Sequence, residues 1–268
     1  MAPANKGTEI ERRPAARRFL HPLWGSAAPH LAALALYTLL ALLVTWPLAA
    51  SFTGGVVGAV GGVDAYQGGW GLWWTARALL AGQSPFFSPL LYFPQGVDLF
   101  WQTLGLAQGV AALPVTLALG PVAAVNATVL TSYALGGYAT FLLARRVTGS
   151  APGALVAGAV YAFSPYHLEK VLDGNLEVAA IHWLPCYALA LHLLLERPGL
   201  RRALLAGALL VWAGLGSWYY GLFALMYTGV AAALWALQKY EVGSMKYEDR
   251  GPVPPPSYFI LHISSVPR

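Results

Sequence analysis

The sequence predicts an all-α fold, a polytopic bundle of membrane-spanning helices, and three observations carry that reading. Hydrophobic residues make up 57% of the chain and charged residues 10%, with a mean hydropathy of +0.57, whereas a soluble domain carries about 25% charged residues. Apolar runs of spanning length recur from Leu31 onward, and the basic residues sit at the ends of those runs, as in Arg145-Arg146 and Arg201-Arg202. Ten Trp and fourteen Tyr exceed what a core requires and suit the aromatic belts of a bilayer interface. The lipid bilayer is therefore the first expected partner. The net charge of +5 forms no basic stripe, so no nucleic-acid partner is implied. A single cysteine, Cys186, excludes an internal disulfide and a thiolate metal cluster.

Residues 1–30 form a basic arm, where Lys6, Arg12, Arg13, Arg17 and Arg18 face only Glu9 and Glu11. The positive-inside bias places this arm, and so the N-terminus, in the cytoplasm. Leu31 to Ala50 is uncharged and twenty residues long, the length of one crossing. Ala49-Ala50-Ser51 could pass for a signal-peptide cleavage site, but the run exceeds the roughly 7 to 15 apolar residues of such a peptide, so an uncleaved anchor is expected.

The stretch that follows organises the rest. Gly54 to Trp74 is glycine-rich, holds one carboxylate, Asp64, and ends in tryptophans. From Tyr66 to Ala81, Trp70, Trp73, Trp74 and Arg77 fall on one side of a helix and Leu72, Ala76, Leu79 and Leu80 on the other, which predicts a helix lying along the membrane surface. Ser84 to Trp101 carries Pro85, Pro89, Pro94 and Gly96 and reads as ordered loop. Leu104 to Leu119 is apolar but short and interrupted by Pro114.

Topology arbitrates that last segment. If it crossed, both later arginine pairs would lie outside; if it is juxtamembrane or re-entrant, every basic cluster stays inside. The second arrangement predicts about six spanning helices, with 123–144, 147–165, 178–195, 203–217 and 221–237 following the first. It leaves external loops at 51–121 and 166–177 within a module covering 31–238. The short loop gathers charge: His167, Glu169, Lys170, Asp173, Glu177 and, just beyond, His182. The two loops are expected to meet over one cavity, above helices packed closely through Gly136-Gly137 and Gly153 to Gly158. Residues 239–268 break the pattern: KYEVGSM is echoed by KYEDRGP and followed by a proline cluster. We expect a low-order tail there, the product of a translated repeat or shifted frame replacing the remainder of a longer gene.

Five motifs carry a resemblance. VDAY around Asp64, LYFPQG from Leu91, FLLARRVTGS from Phe141, AFSPYH from Ala162 and GNLEVAAIHWLP from Gly174 occur in an order and spacing that resembles the GT-C superfamily of polytopic glycosyltransferases, which includes protein mannosyltransferases and aminoarabinose transferases. The resemblance covers roughly residues 30–238. It implies juxtamembrane helices in the first external loop and a bacterial plasma-membrane location. It also implies transfer of a sugar, with inversion, from a polyprenyl-phosphate donor to an acceptor at the outer face. Asp64 would be the base that takes the acceptor's proton. Lys170, with Arg77 or His167, would offset charge on the lipid phosphate, and Glu169, Glu177 and Tyr66 complete the expected substrate-binding set. Some members use a divalent metal such as Mg or Mn and others none; Glu169, Asp173, Glu177 and His182 are the candidate ligands, without a sharp spacing such as HExxH. Members usually run well beyond six helices, so the chain resembles an N-terminal portion.

Plainer readings stand beside these. Asp64 suits a solvated loop, Glu169-Lys170 a solvated ion pair, Asp173-Gly174-Asn175 a turn, His182-Trp183 an interfacial anchor, and Asp98 a loop position. Asn126-Ala127-Thr128 matches a glycosylation sequon at the head of an apolar helix, where it is an accident. The alternative function is a non-catalytic multi-pass protein, a transporter or assembly scaffold. Transporters usually show internal repeats, broken helices and charge at the bilayer midplane; external charge and the lack of a repeat before the tail favour the enzyme.

Overall fold

The computed structural model describes residues 27–58, 63–102 and 104–248. Most of the predicted basic arm, part of the glycine-rich stretch around residues 59–62 and the tail from 249 lie outside the described residues. What is described is all-α apart from one two-residue ladder. In chain order it comprises α1 (Ala27–Val44), a 3₁₀ turn (Leu48–Ser51), α2 (Val63–Leu80), β1 (Phe87–Ser88), β2 (Val97–Asp98), α3 (Leu106–Ala111), α4 (Leu113–Thr148) and α5 (Ala151–Ala162). α6 (Pro165–Leu172), α7 (Leu176–Ala179), α8 (Trp183–Glu196), α9 (Leu200–Gly216) and α10 (Trp218–Glu248) follow. β1 and β2 pair antiparallel, Phe87 opposite Asp98.

Local chemistry sets the breaks. α4 is interrupted at Gly120, whose φ of 87° only glycine tolerates easily, and Pro121 then starts the long straight part of the helix. α4 ends on Gly149 in the left-handed region, its N–H bonded to Arg145 O. Ser150 and Ser164 cap α5 and α6, accepting from the backbone N–H of Gly153 at 3.2 Å and of His167 at 3.4 Å.

The glycines expected to bring helices together do so around one ring. Tyr37 of α1 is fully buried and donates to Leu155 O at 3.0 Å. A Cβ at Gly137 would fall 2.7 Å from that ring, and one at Gly158 would overlap both the Tyr37 hydroxyl and Gly137 O. α1, α4 and α5 therefore pack at a separation only small residues permit.

Three helices are long and apolar enough to cross a membrane: α1, α4 and residues 218–237 of α10. α5 has 12 residues and α8 has 14, both shorter than the roughly 20 of a straight crossing. The first loop contains helices, as expected, but Leu104 to Leu119 is not one segment: it forms α3 and the start of α4, parted again at Gly120. The stretch predicted as a short loop, 166–177, is instead most of α6, a turn and the first half of α7, because Ser164-Pro165 caps a new helix and Gly174, at φ 74°, follows its end. α10 runs on to Glu248, so the first ten residues assigned to a low-order tail are helical.

Charge separates the two ends of the bundle. At one end Arg146 forms an ion pair with Glu196, which also meets His192 at 3.0 Å, and Arg202 donates to Leu193 O and Arg197 O, each at 2.9 Å. At the other end Asn126 donates to Phe52 O at 2.8 Å and Gly55 O at 2.7 Å, tying the first loop to α4. Asn126 and Arg146 lie twenty residues apart on an unbroken helix, a rise of about 30 Å, which is the thickness of a hydrocarbon layer.

Candidate functional site

Asp64 occupies the first turn of α2 and is exposed. A carboxylate there is favoured by the helix dipole and stays solvated. Further along, α2 departs from the expected surface helix. Trp74 is 2% exposed and its indole N–H donates to Pro85 O at 2.9 Å, while Leu79 and Leu80 face outward. The reason is backbone proximity: a Cβ at Gly71 would fall 2.9 Å from Leu104 O, and one at Gly109 2.8 Å from the Thr75 side chain. The face carrying Gly71 and Thr75 is thus taken up by protein, and Leu72 and Ala76, from the expected aliphatic side, are buried as well. Arg77 is exposed with its guanidinium 5.6 Å from the Trp73 ring. Thirteen residues of helix separate it from Asp64, about 20 Å, so the two do not form one site.

The second charged stretch does meet the start of α2. A Cβ at Gly174 would lie 2.6 Å from Ala65 Cβ and 2.7 Å from Ala65 N, and one at Gly68 3.1 Å from Leu176 Cβ. The Asp173-Gly174-Asn175 turn therefore rests against the residue following Asp64. On the same rim Lys170 Nζ reaches Asp173 Oδ2 at 3.0 Å and Glu169 Oε1 at 3.3 Å. Those bonds, Asp173's foremost, raise the Lys170 pKa and hold it charged. The solvated-pair reading of Glu169 and Lys170 and the turn reading of Asp173 both describe what is seen. Tyr66 is exposed on the first turn of α2, and the Tyr166 ring lies 5.9 Å from Lys170 Nζ.

His167 is not on that rim. It is fully buried, its Nδ1 2.6 Å from Ala162 O and its Nε2 2.8 Å from Ala179 O and 3.1 Å from Ser132 Oγ, with the Tyr133 ring centroid 4.2 Å away. Both carbonyls can only accept, so a neutral imidazole donates to one of them and an imidazolium to both. Burial outweighs those bonds and pushes its pKa down. His167, expected among the substrate-binding residues, is instead turned into the interior on the first turn of α6, which Ser164 caps.

His167 belongs to a larger device. The single turn of α7 and the irregular residues that join it to α8 are buried, and side chains from four elements take up their carbonyls. Gln108 Nε2 donates to Glu177 O at 3.5 Å, the Tyr220 hydroxyl to Val178 O, the His167 imidazole faces Ala179 O, and the Tyr161 hydroxyl donates to Ile181 O at 2.8 Å. Buried carbonyls left unpaired would each cost about 1–3 kcal/mol, so these donors make the break possible.

Metal candidates do not assemble. Glu169 and Asp173 lie on the exposed rim and His182 is 4% exposed beneath it. Among the described residues no three His, Cys, Asp or Glu side chains are grouped to hold an ion. The donors therefore do not fit a Mg or Mn ligand set.

A cleft missed in the sequence opens beside Glu177. It is shallow and open to solvent, enclosing about 30 Å3, and is bounded by Phe86 and Phe100 of the hairpin, Gly105 before α3, Glu177 of α7, and Gly216, Ser217 and Trp218 at the α9–α10 junction. Trp218 Nε1 donates to Phe100 O at 3.1 Å, and its ring stacks on Trp101 with centroids 5.6 Å apart. The only advance signal was the Gly-Ser-Trp-Tyr-Tyr run between two apolar segments. Comparison with protein-family models, curated proteins and solved structures finds no match to this chain.

Proposed function

We propose that this protein is the catalytic module of a GT-C-type membrane glycosyltransferase, passing a sugar from a polyprenyl-phosphate donor to an acceptor at the outer face of a bacterial plasma membrane. The observation that carries the reading is the contact between the α2 N-terminus, with Asp64 exposed on it, and the Lys170-bearing turn, at the end of the bundle away from the arginine pairs. In this reading α5, α8 and α9 complete a six-pass arrangement with α1, α4 and α10, and the N-terminus is cytoplasmic.

Asp64 accepts the proton of the acceptor's nucleophile as that atom attacks the anomeric carbon from the face opposite the phosphate. The bond from the anomeric carbon to the phosphate oxygen breaks, and its electron pair leaves with the phosphate. Lys170, held charged by Asp173 and Glu169, offsets the developing negative charge. Sugar transfer by purified protein from a polyprenyl-phosphate sugar tests this: Asp64→Asn lowers the rate by about 10²- to 10⁴-fold. An unchanged rate removes Asp64 from the mechanism.

A second reading has one observation in its favour. The break between α7 and α8 beside the buried Glu177 is the kind of discontinuity that lines substrate paths in transporters. Accumulation of a labelled sugar in vesicles carrying the protein, without any transfer product, would support transport instead.

A further inference from the structure

We infer that the β1–β2 hairpin with its flanks, residues 86–101, is an aromatic anchor seated in the headgroup layer of the bilayer beside the start of α10, with phospholipid as its partner. The inference needs α10 to face lipid and does not need the sugar-transfer reading. Between Ser84 and Trp101 the chain carries a single charge, Asp98, and it turns aromatic rings outward: Tyr92 is 78% exposed, Phe93 85% and Trp101 80%. The surface is held in shape from behind. Trp74 Nε1 donates to Pro85 O at 2.9 Å, the Leu99 N–H to Phe86 O at 2.6 Å, and the Phe86 and Phe100 rings meet edge to face at 5.4 Å. Large apolar groups displayed together on an ordered frame mark a contact surface.

Continuity with α10 identifies the partner. The Trp218 ring stacks on Trp101 with centroids 5.6 Å apart and meets Phe100 edge to face at 5.3 Å. Trp218 opens the apolar segment 218–237, and Leu222, Leu225 and Met226, which share its face at i+4, i+7 and i+8, are each more than half exposed. On a helix that crosses a membrane such a stripe faces lipid. The hairpin rings extend the stripe past the end of the helix, to the level at which a bilayer takes up Trp and Tyr. Asp98 sets the depth. It is exposed, its Oδ1 accepts the Phe100 N–H at 2.7 Å, and a carboxylate so placed is tolerated among headgroups but costly in hydrocarbon. Lipid covers stripe and hairpin as one surface, whereas a protein docked on the hairpin would have to displace it.

The test is spin-label accessibility on the full chain in nanodiscs of phosphatidylcholine and phosphatidylglycerol, with Cys186→Ser removing the native thiol. Nitroxides are attached singly at Tyr92→Cys and Phe93→Cys, at Leu225→Cys as the lipid reference, and at Glu169→Cys on the charged rim as the water reference. Collisions with dissolved oxygen report lipid and collisions with a neutral nickel chelate report water. Oxygen outruns the chelate at both hairpin positions and at Leu225→Cys, the order reverses at Glu169→Cys, and the hairpin labels lie about 5–10 Å into the boundary between headgroups and acyl chains. Trp101→Ser, which removes the ring stacked on Trp218, shifts both hairpin labels toward water. Should one labelled variant fail to fold, judged by its thermal midpoint, the other hairpin position decides alone. The proposal is overturned if the chelate dominates at the hairpin, as for a loop in water, or if neither reagent reaches it, as for a surface covered by protein. A chelate preference at Leu225→Cys overturns it as well, because α10 would then not face lipid.

Discussion

His167 and Lys170 sit one turn apart on the same short helix and live in different solvents. His167 is fully buried among Ala162 O, Ala179 O, Ser132 and Tyr133, whereas Lys170 joins Glu169 and Asp173 on a rim where those carboxylate side chains are 64% and 48% exposed. The difference teaches which of the two can act on a ligand. A buried imidazole with every nitrogen engaged holds backbone in place; a solvated ammonium can exchange one carboxylate partner for an arriving phosphate.

The contrast can be broken from either side. His167→Ala leaves a cavity and takes a partner from Ala162 O and from Ala179 O, which keeps the Ile181 N–H at 2.8 Å, and should destabilise by about 3–5 kcal/mol, read as a large drop in the thermal midpoint of the purified protein. A drop no larger than that of a surface variant would mean His167 is not a structural stitch. Tyr161→Phe removes the shorter of two donors to Ile181 O and leaves it the Leu184 N–H at 3.3 Å, an expected loss of about 1 kcal/mol in the same assay.

The pH dependence follows from the direction of the His167 shift. Its folded pKa lies below its unfolded value of about 6.5, so the unfolded chain binds more protons between the two values. Stability is fully present above about pH 6.5 and falls as the pH drops from there toward the folded value. Burial pushes His182 down as well, to about 3, and adds a slope of the same sign, so a His167→Gln variant should lose part of the acid limb; an unchanged slope would assign all of it to His182. The smallest expected effect is on the other side of the comparison: Lys170→Ala should leave the thermal midpoint unchanged while raising the KM for the lipid-linked donor in the transfer assay. A fall in stability without a change in KM would make Lys170 structural.

Much of the architecture was legible because periodicity and charge placement are local properties. Arg145 and Arg146 lie in the last turn of α4, and Gly137 and Gly158 admit the Tyr37 ring between helices, as the small residues there led one to expect. The Asp64 and Lys170 stretches meet where Gly174 rests on Ala65. Trp74 was less legible: its place in an apparent surface stripe hid a buried anchor, since only the approach of Leu104 to Gly71 reveals what the helix packs against.

Composition alone determined an all-α chain with helices fit for a bilayer, since 57% hydrophobic residues with so few charges leave no other solvent for those runs. Tertiary structure decided which polar residues serve the fold and which remain at the surface. His167, Tyr161, Tyr220 and Gln108 are spent on carbonyls at a break between helices, while Asp64 stays exposed and Lys170 sits on the rim. Hydrogen-bond partners forty or a hundred residues distant leave no trace in local spacing; they exist only once the helices are packed.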